Sequence, residues 1–172
     1  FVMYTNGTLI DDAVAKRLGR MGNVSPALSI EGMKERTDAR RGDGVFGKVL
    51  AARGRLKREG VIIGVSLTAT RLNSDEILSD EVIETFFDRI GASYAFVFHY
   101  MPIGRSFTLD LMMTPEQRLR LFERVWWLVR NRHVFIADFW NSATATNGCL
   151  AAGRAGGYFH VNWNGDVSPC VF

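Results

Sequence analysis

The sequence of 172 residues contains no apolar run approaching the ~18 residues that a bilayer-spanning helix requires, no internal repeat and no low-complexity tract. Its two cysteines say little by themselves. Its three histidines, His99, His133 and His160, are isolated, and no zinc-type His/Cys spacing exists. A net charge of +3 arises from 21 basic and 18 acidic side chains. Arg36, Arg40, Arg41, Arg53, Arg55, Lys57 and Arg58 lie mostly in one loop-and-helix stretch. A nucleic-acid face would cluster its charge in the same way, but no aromatic residues interleave with these. The stretch reads as a solvated helix face, and only a small anionic ligand is well motivated.

What is present fits an ordinary globular chain. Hydrophobic residues make up 47% and charged ones 23%, which argues against disorder. The length suffices for one domain with its own core, or one and a half small ones. Glycine stands at 17 residues, a level that points to tight loops or to backbone approaching a ligand closely. Phe1 opens inside a β-prone segment (FVMYTNG) and Phe172 directly follows a cysteine, so the expectation is an interior piece of a longer protein.

Strand-like and helix-like segments alternate. Short apolar β-prone runs cover 1–4, 27–30, 61–67, 94–100 and 134–137. Between them, apolar residues recur at helical spacing: Val14, Leu18 and Met21 behind Asp11 or Asp12 as N-cap, then Val45, Val49, Leu50 and Leu56 ahead of Gly60. Val82, Ile83, Phe86, Phe87 and Ile90 mark a helix over 80–90. Thr114 and Pro115 start a long helix with Leu119, Phe122, Val125, Trp126 and Val129 expected inward. The stretch EGMKERTDARRGDG reads as a polar, Gly-rich connection. Repetition of this kind predicts right-handed βαβ units and an α/β fold, a parallel sheet or partial barrel with ligands at the C-terminal strand ends. The final GGYFHVNWNGDVSPCVF reads as a β-hairpin around an Asn164-Gly165 two-residue turn. A boundary near 138–140 divides a partial barrel over 1–138 from a second unit over 139–172.

Four motifs in order then resemble the radical S-adenosylmethionine (SAM) superfamily, in its branch with SPASM-type C-terminal domains. TNGTLI (5–10) resembles the end of the barrel's third strand. SIEG (29–32), with Asp38, Arg41 and Gly42 of DARRG, resembles the fourth strand and its loop. SLTATRLN (66–73) resembles the fifth strand with a trailing asparagine, and FHYMPIGR (98–105) the sixth strand and its exit. Cys149, fifteen residues, Gly165, four residues and Cys170 are similar to the opening of the SPASM pattern, CX(9–15)GX(4)C. The CX3CX2C loop that binds the SAM-cleaving cluster, and the glycine-rich motif after the second strand, are absent from these residues. The expectation is that both lie N-terminal to Phe1, and that this piece alone is inactive.

The resemblance implies a SAM site and an auxiliary [4Fe–4S] site. Ser29 and Arg41 match positions that contact the SAM carboxylate, and a hydroxyl with a bidentate guanidinium suits that group. The bland alternatives are a turn serine and a surface-paired arginine, with Arg40 the risk of misassignment. Glu31 reaches ribose hydroxyls in one reading and caps the next segment in the other. Thr68 and Thr70 share a strand face, which meets SAM or substrate if it points into the barrel and is ordinary sheet surface if not. Asn6 reads most safely as a turn former. At Tyr100 and Met101 the backbone would meet the adenine edge. His99 reads as a satisfied core histidine, and Trp126 and Trp127 as helix packing. Cys149 and Cys170 are cluster ligands, a disulfide or buried thiols, with cluster ligation matching the pattern.

For the intact protein the resemblance implies reductive SAM cleavage to a 5′-deoxyadenosyl radical, then substrate hydrogen abstraction. Its substrate class would be a peptide, a protein or a cofactor precursor, with a small molecule or tetrapyrrole precursor as alternative. A flavodoxin or ferredoxin electron donor, a reducing cytoplasmic setting and no nucleic-acid or membrane partner are also expected. A barrel-derived metal-binding module without SAM chemistry is the competing class. Cys149→Ala in the intact protein should lower iron content without abolishing the SAM-binding cluster, and unchanged iron would eliminate the ligand assignment.

Overall fold

The computed structural model describes residues 1–104, 107–141, 148–149 and 157–171. Five parallel strands pair in sequence order: β1 (Val2–Thr5), β2 (Ser25–Ile30), β3 (Gly64–Ala69), β4 (Tyr94–His99) and β5 (Ile136–Asp138). Each crossover is helical: α1 (Asp12–Met21), α2 (Lys34–Arg41) with α3 (Val45–Arg58), α4 (Asp80–Ile83), and α5 (Pro115–Asn131). This is the expected α/β partial barrel. A separate antiparallel pair, β6 (His160–Val161) and β7 (Val167–Ser168), forms the expected hairpin.

Alternation along the strands sorts the two sheet faces. Leu28 and Ile30, Val65 and Leu67, Ala95 and Val97, and Ile136 are buried in one core with the crossover helices. The other face carries Tyr4 on β1, Ala27 and Ser29 on β2, Gly64, Ser66 and Thr68 on β3, and Tyr94, Phe96 and Phe98 on β4, in matched registers. Tyr4 lies 5.7 Å from Phe96 and 5.5 Å from Phe98, ring to ring. In a flat sheet β1 and β4 would stand about 14 Å apart, three strand spacings. The sheet therefore curls around the second face, and small residues on β2 and β3 let rings from its flanks meet over them.

Most of the element pattern follows local chemistry. Asp11 accepts the Val14 amide as N-cap of α1, and Thr114 with Gln117 forms a full capping box on α5 behind Pro115. Three features differ from expectation. The polar stretch after β2 contains helix α2, whose inward residues are Thr37 and Asp38. Thr37 Oγ1 donates to the Gly32 carbonyl at 3.1 Å and accepts the Glu31 amide at 3.1 Å, while Asp38 accepts the Phe46 amide at 2.8 Å and Lys34 Nζ at 2.8 Å. Hydrogen bonds rather than apolar burial dock this helix, so hydrophobic periodicity gives no sign of it. The helix expected over 80–90 widens after Ile83 into a π-helical stretch, Glu84–Arg89, and the Ile90 amide reaches Thr85 O at 2.9 Å. Arg53 Nε donates to the Ile90 carbonyl at 2.6 Å, closing that end.

In α5 the buried residues are Leu121, Val125 and Leu128, whereas Leu119 is exposed. Arg118 binds the Trp140 carbonyl at 3.1 Å and Arg124 binds the Leu78 carbonyl at 2.8 Å, and these ties set the helix rotation. Phe122 and Trp126 pack edge to face at 6.3 Å on the outer surface, where Arg130 and Arg124 stack on Trp126 and Trp127. Trp127 is exposed. The two tryptophans pack against their own helix's arginines rather than into the core. Among the described residues, no helix is long and apolar enough to cross a membrane.

Gly64 fixes the curl. A Cβ there would sit 2.1 Å from the Tyr94 ring, whose hydroxyl is 2.7 Å from Ser25 Oγ. Gly64→Ala should destabilise the chain by about 1–3 kcal/mol through overpacking, and Tyr94→Ala in the same chain should recover part of that loss. Urea unfolding of the parent and the two variants checks this, and a neutral Gly64→Ala would refute it.

Candidate functional site

The C-terminal ends of β1, β2 and β3 converge on two bound features and one open one. Asn73 is the first. Its Oδ1 accepts from the Thr70 amide at 2.7 Å and the Thr70 hydroxyl at 2.9 Å, and its Nδ2 donates to the Glu31 and Thr68 carbonyls at 3.0 Å each. One buried amide thus uses both of its ends to tie β2 to β3 and to close the turn after β3. Thr70 is buried, and its hydroxyl also accepts the Leu72 amide at 3.2 Å. Thr70 therefore sits in the turn's own hydrogen-bond network. Thr68 stays on the concave face with Ser66 and Ser29, and their hydroxyls have no hydrogen-bond partner among the described residues.

Glu31 is the second feature. It is 1% exposed, and its Oε1 receives Arg40 Nη1 at 2.6 Å, Arg41 Nη2 at 2.5 Å and Arg41 Nε at 2.8 Å. A buried carboxylate is tolerated only when paired and hydrogen-bonded, and two guanidiniums on one oxygen meet that need. Oε2 has no hydrogen-bond partner. Arg40 and Arg41, with Asn6 and Val45, line the open feature, a cavity of about 290 Å³. Two arginines against one carboxylate leave one surplus positive charge at this cavity. Surplus guanidinium lining a cavity is what a ligand with an anionic group would satisfy. Asn6 Oδ1 accepts from the amide and hydroxyl of Thr8 at 3.1 and 2.9 Å, the expected turn role, while its residue still borders the cavity.

Further along the strand ends, the Tyr100 amide donates to Ala69 O at 2.9 Å and the Met101 carbonyl accepts the Ile103 amide at 2.9 Å. The atoms left to meet a flat ligand edge are the Tyr100 carbonyl and the Met101 amide. His99 lies on the core side. Its Nε2 lies 3.1 Å from Asp138 Oδ1, a close buried contact between the two side chains. Asp138 Oδ1 accepts the Trp140 and Asn141 amides, each at 3.1 Å, and Oδ2 accepts Asn141 Nδ2 at 2.8 Å. Burial pushes this carboxyl up, but His99 and Asn141 outweigh burial and hold it below the usual carboxylate range.

The hairpin carries the sulfur chemistry. Cys149 is exposed and Cys170 half-buried, with no disulfide between them. The Tyr158 hydroxyl lies 3.4 Å from Cys170 Sγ and is pushed up to about 12, first by that contact, then by burial and by the charges of Cys170 and Cys149. The turn itself differs from the expected two-residue form. The Gly165 amide bonds to Asn162 O at 3.0 Å and the Asn162 amide to Asp166 O at 2.8 Å, making a three-residue loop over 163–165. Gly165, at φ 90°, takes its positive-φ position. Among the described residues, no group of three or more His, Cys, Asp or Glu forms a metal site. Ser66, Asn73, Arg40 and Tyr158 were not assigned to the site from sequence; Asn73 stood in the SLTATRLN motif as its trailing asparagine and Arg40 as the alternative to Arg41, whereas Tyr158 carried no signal.

No family model matches the chain. It is 35% identical over 77 residues to an Fe-coproporphyrin III synthase of Methanosarcina barkeri, a match covering 44% of this chain and 19% of that protein. The solved structure of anSMEcpe with bound AdoMet superposes at a TM-score of 0.72, with 21% identity, over 98% of this chain and 48% of that one. SuiB of Streptococcus suis superposes at 0.70, with 16% identity, over 99% of this chain and 43% of that one. Structures of anSMEcpe with a peptide (Cp18Cys) and of SuiB with its precursor peptide SuiA also match. Both are radical SAM enzymes of the SPASM type, and the resemblance seen in the motifs extends to the fold. The chain spans about half the length of these structures.

Asp138 generates a pH prediction. A carboxyl held low in the folded state contributes stability that is present above about pH 4 and lost as pH falls through its folded value. Asp138→Asn should therefore cost about 1–3 kcal/mol near pH 7, and the difference from the parent should shrink toward zero under acid. Urea midpoints from pH 7 to pH 2 test this; a gap constant across the range would contradict it.

Proposed function

We propose that this chain is the second half of the barrel of a radical SAM enzyme, followed over 139–172 by the start of an auxiliary cluster domain. Its superposition on AdoMet-bound anSMEcpe over 98% of its length, with the motif residues at the C-terminal strand ends, carries the reading. In this reading Arg41, seconded by Arg40, holds the SAM carboxylate at the basic cavity, and the Ser29 hydroxyl adds a donor from the concave face. Glu31 orients both guanidiniums through Oε1. Thr68 adds a hydroxyl to the concave floor, Thr70 sets the turn above it through Asn73, and the Tyr100 carbonyl and Met101 amide meet the adenine edge.

These groups suit a ligand with a carboxylate, several donors and a flat ring, which is the chemistry of SAM. The chemistry that a [4Fe–4S] cluster held outside these residues would supply is the electron for reductive cleavage of SAM, giving a 5′-deoxyadenosyl radical that would take a substrate hydrogen. This chain's residues bind and orient SAM and exclude water around it. Cys149 and Cys170 fit as two of the ligands of an auxiliary [4Fe–4S] cluster. An electron donor such as flavodoxin or ferredoxin, a cytoplasmic setting and an activity absent from this segment alone complete the proposal.

The substrate is proposed to be a peptide or protein, because both structural neighbours have been seen with peptides. A tetrapyrrole precursor is the second reading, favoured by the identity to Fe-coproporphyrin III synthase. The full-length protein, reconstituted anaerobically with iron and sulfide, should release 5′-deoxyadenosine from SAM under a strong reductant. No SAM-dependent product under those conditions would overturn the assignment.

A further inference from the structure

The hairpin register places a phenol against one of the two sulfurs. His160 pairs with Ser168 and Val161 with Val167. Carried two residues outward, the same antiparallel register sets Tyr158 opposite Cys170, on the face that His160 and Ser168 share. The Tyr158 hydroxyl accordingly lies 3.4 Å from Cys170 Sγ. The Cys170 backbone is also held, since Ser168 Oγ donates to its carbonyl at 2.9 Å. At the other end of the hairpin the Asn162–Asp166 bond at 2.8 Å fixes the loop, so the register cannot slip without breaking it.

We propose that Tyr158 is a positioning residue whose hydroxyl donates a hydrogen bond to the Cys170 sulfur and so raises the reduction potential of the auxiliary cluster. The proposal rests on the reading of Cys170 as a cluster ligand. A ligating cysteine is a thiolate and can only accept, which fixes the direction of the bond. Reduction adds negative charge to the cluster and its sulfurs, so a donor on a sulfur stabilises the reduced state more than the oxidised one. Ser168 on the same hairpin face directs its hydroxyl to the Cys170 carbonyl, not to the sulfur.

The test uses the full-length protein reconstituted with iron and sulfide, with cluster midpoint potentials read by EPR at poised potentials and iron measured per chain. Tyr158→Phe keeps the ring and removes the donor. The auxiliary cluster's midpoint should shift to more negative potential, while iron content and the SAM-binding cluster's midpoint stay unchanged. Replacing Tyr158 with 3-fluorotyrosine, a stronger donor, should shift it the opposite way, a sign reversal that a packing role would not produce. An unmoved midpoint in Tyr158→Phe overturns the proposal, and so does loss of iron there, since the tyrosine would then hold the cluster rather than tune it. Cys170→Ala separates the two levels. Unchanged iron in that variant defeats the ligand reading itself, whereas lost iron beside an unmoved Tyr158→Phe midpoint defeats the tuning role alone.

Discussion

Everything in the main body depends on small side chains along the inner face of the two central strands. Ala27, Ser29, Gly64 and Ser66 occupy matched positions where a bulky residue would hold the sheet open. Their size lets Tyr4 from β1 meet Phe96 and Phe98 from β4, and it lets the Tyr94 ring lie over Gly64. The resulting concavity gives the strand ends a common direction. Polar residues that are far apart in sequence, Asn6, Glu31, Thr70 and Tyr100, end at one rim because each follows a strand in a curled parallel sheet.

At that rim two polar knots do different work. Asn73 joins β2 to β3 through four hydrogen bonds and fixes the height of the two strand ends relative to each other. Glu31 gathers Arg40 and Arg41 from the end of α2 and holds their guanidiniums beside the cavity. Long arginine side chains lose much conformational freedom when fixed, and here a buried carboxylate fixes them before any ligand arrives. A preorganised guanidinium pair loses less entropy on binding a carboxylate. The docking of α2 through Thr37 and Asp38 matters for the same reason, because that helix carries both arginines. Lys34 and the Phe46 amide keep Asp38 below the usual carboxylate range, so its hydrogen bonds persist at neutral pH.

The hairpin obeys a separate logic. Its three-residue loop and antiparallel register are set by Asn162, Gly165 and Asp166. Register decides which side chains face each other, and here it decides that a phenol faces a thiol. Nothing in the residue types alone would link position 158 to position 170.

Apolar runs and helical spacing were enough to read the α/β class, the five strand segments and the Thr114 cap of α5, with Asp11 or Asp12 at α1, because period and capping are local properties of the chain. The four motifs and the Cys149, Gly165, Cys170 spacing were enough to point to the radical SAM resemblance. Tertiary structure decided the rest. Helix α2 was invisible because its buried face is polar, and periodicity detects only apolar faces. The rotation of α5, which buries Leu121 and Leu128 and exposes Leu119, follows from arginine bonds to the distant carbonyls of Leu78 and Trp140. Ser29, Glu31 and Arg41 were legible as candidates, but the pairing of Glu31 with both arginines was not. Sequence fixes which groups a chain carries and their local geometry, while pairing across tens of residues depends on how the sheet curls.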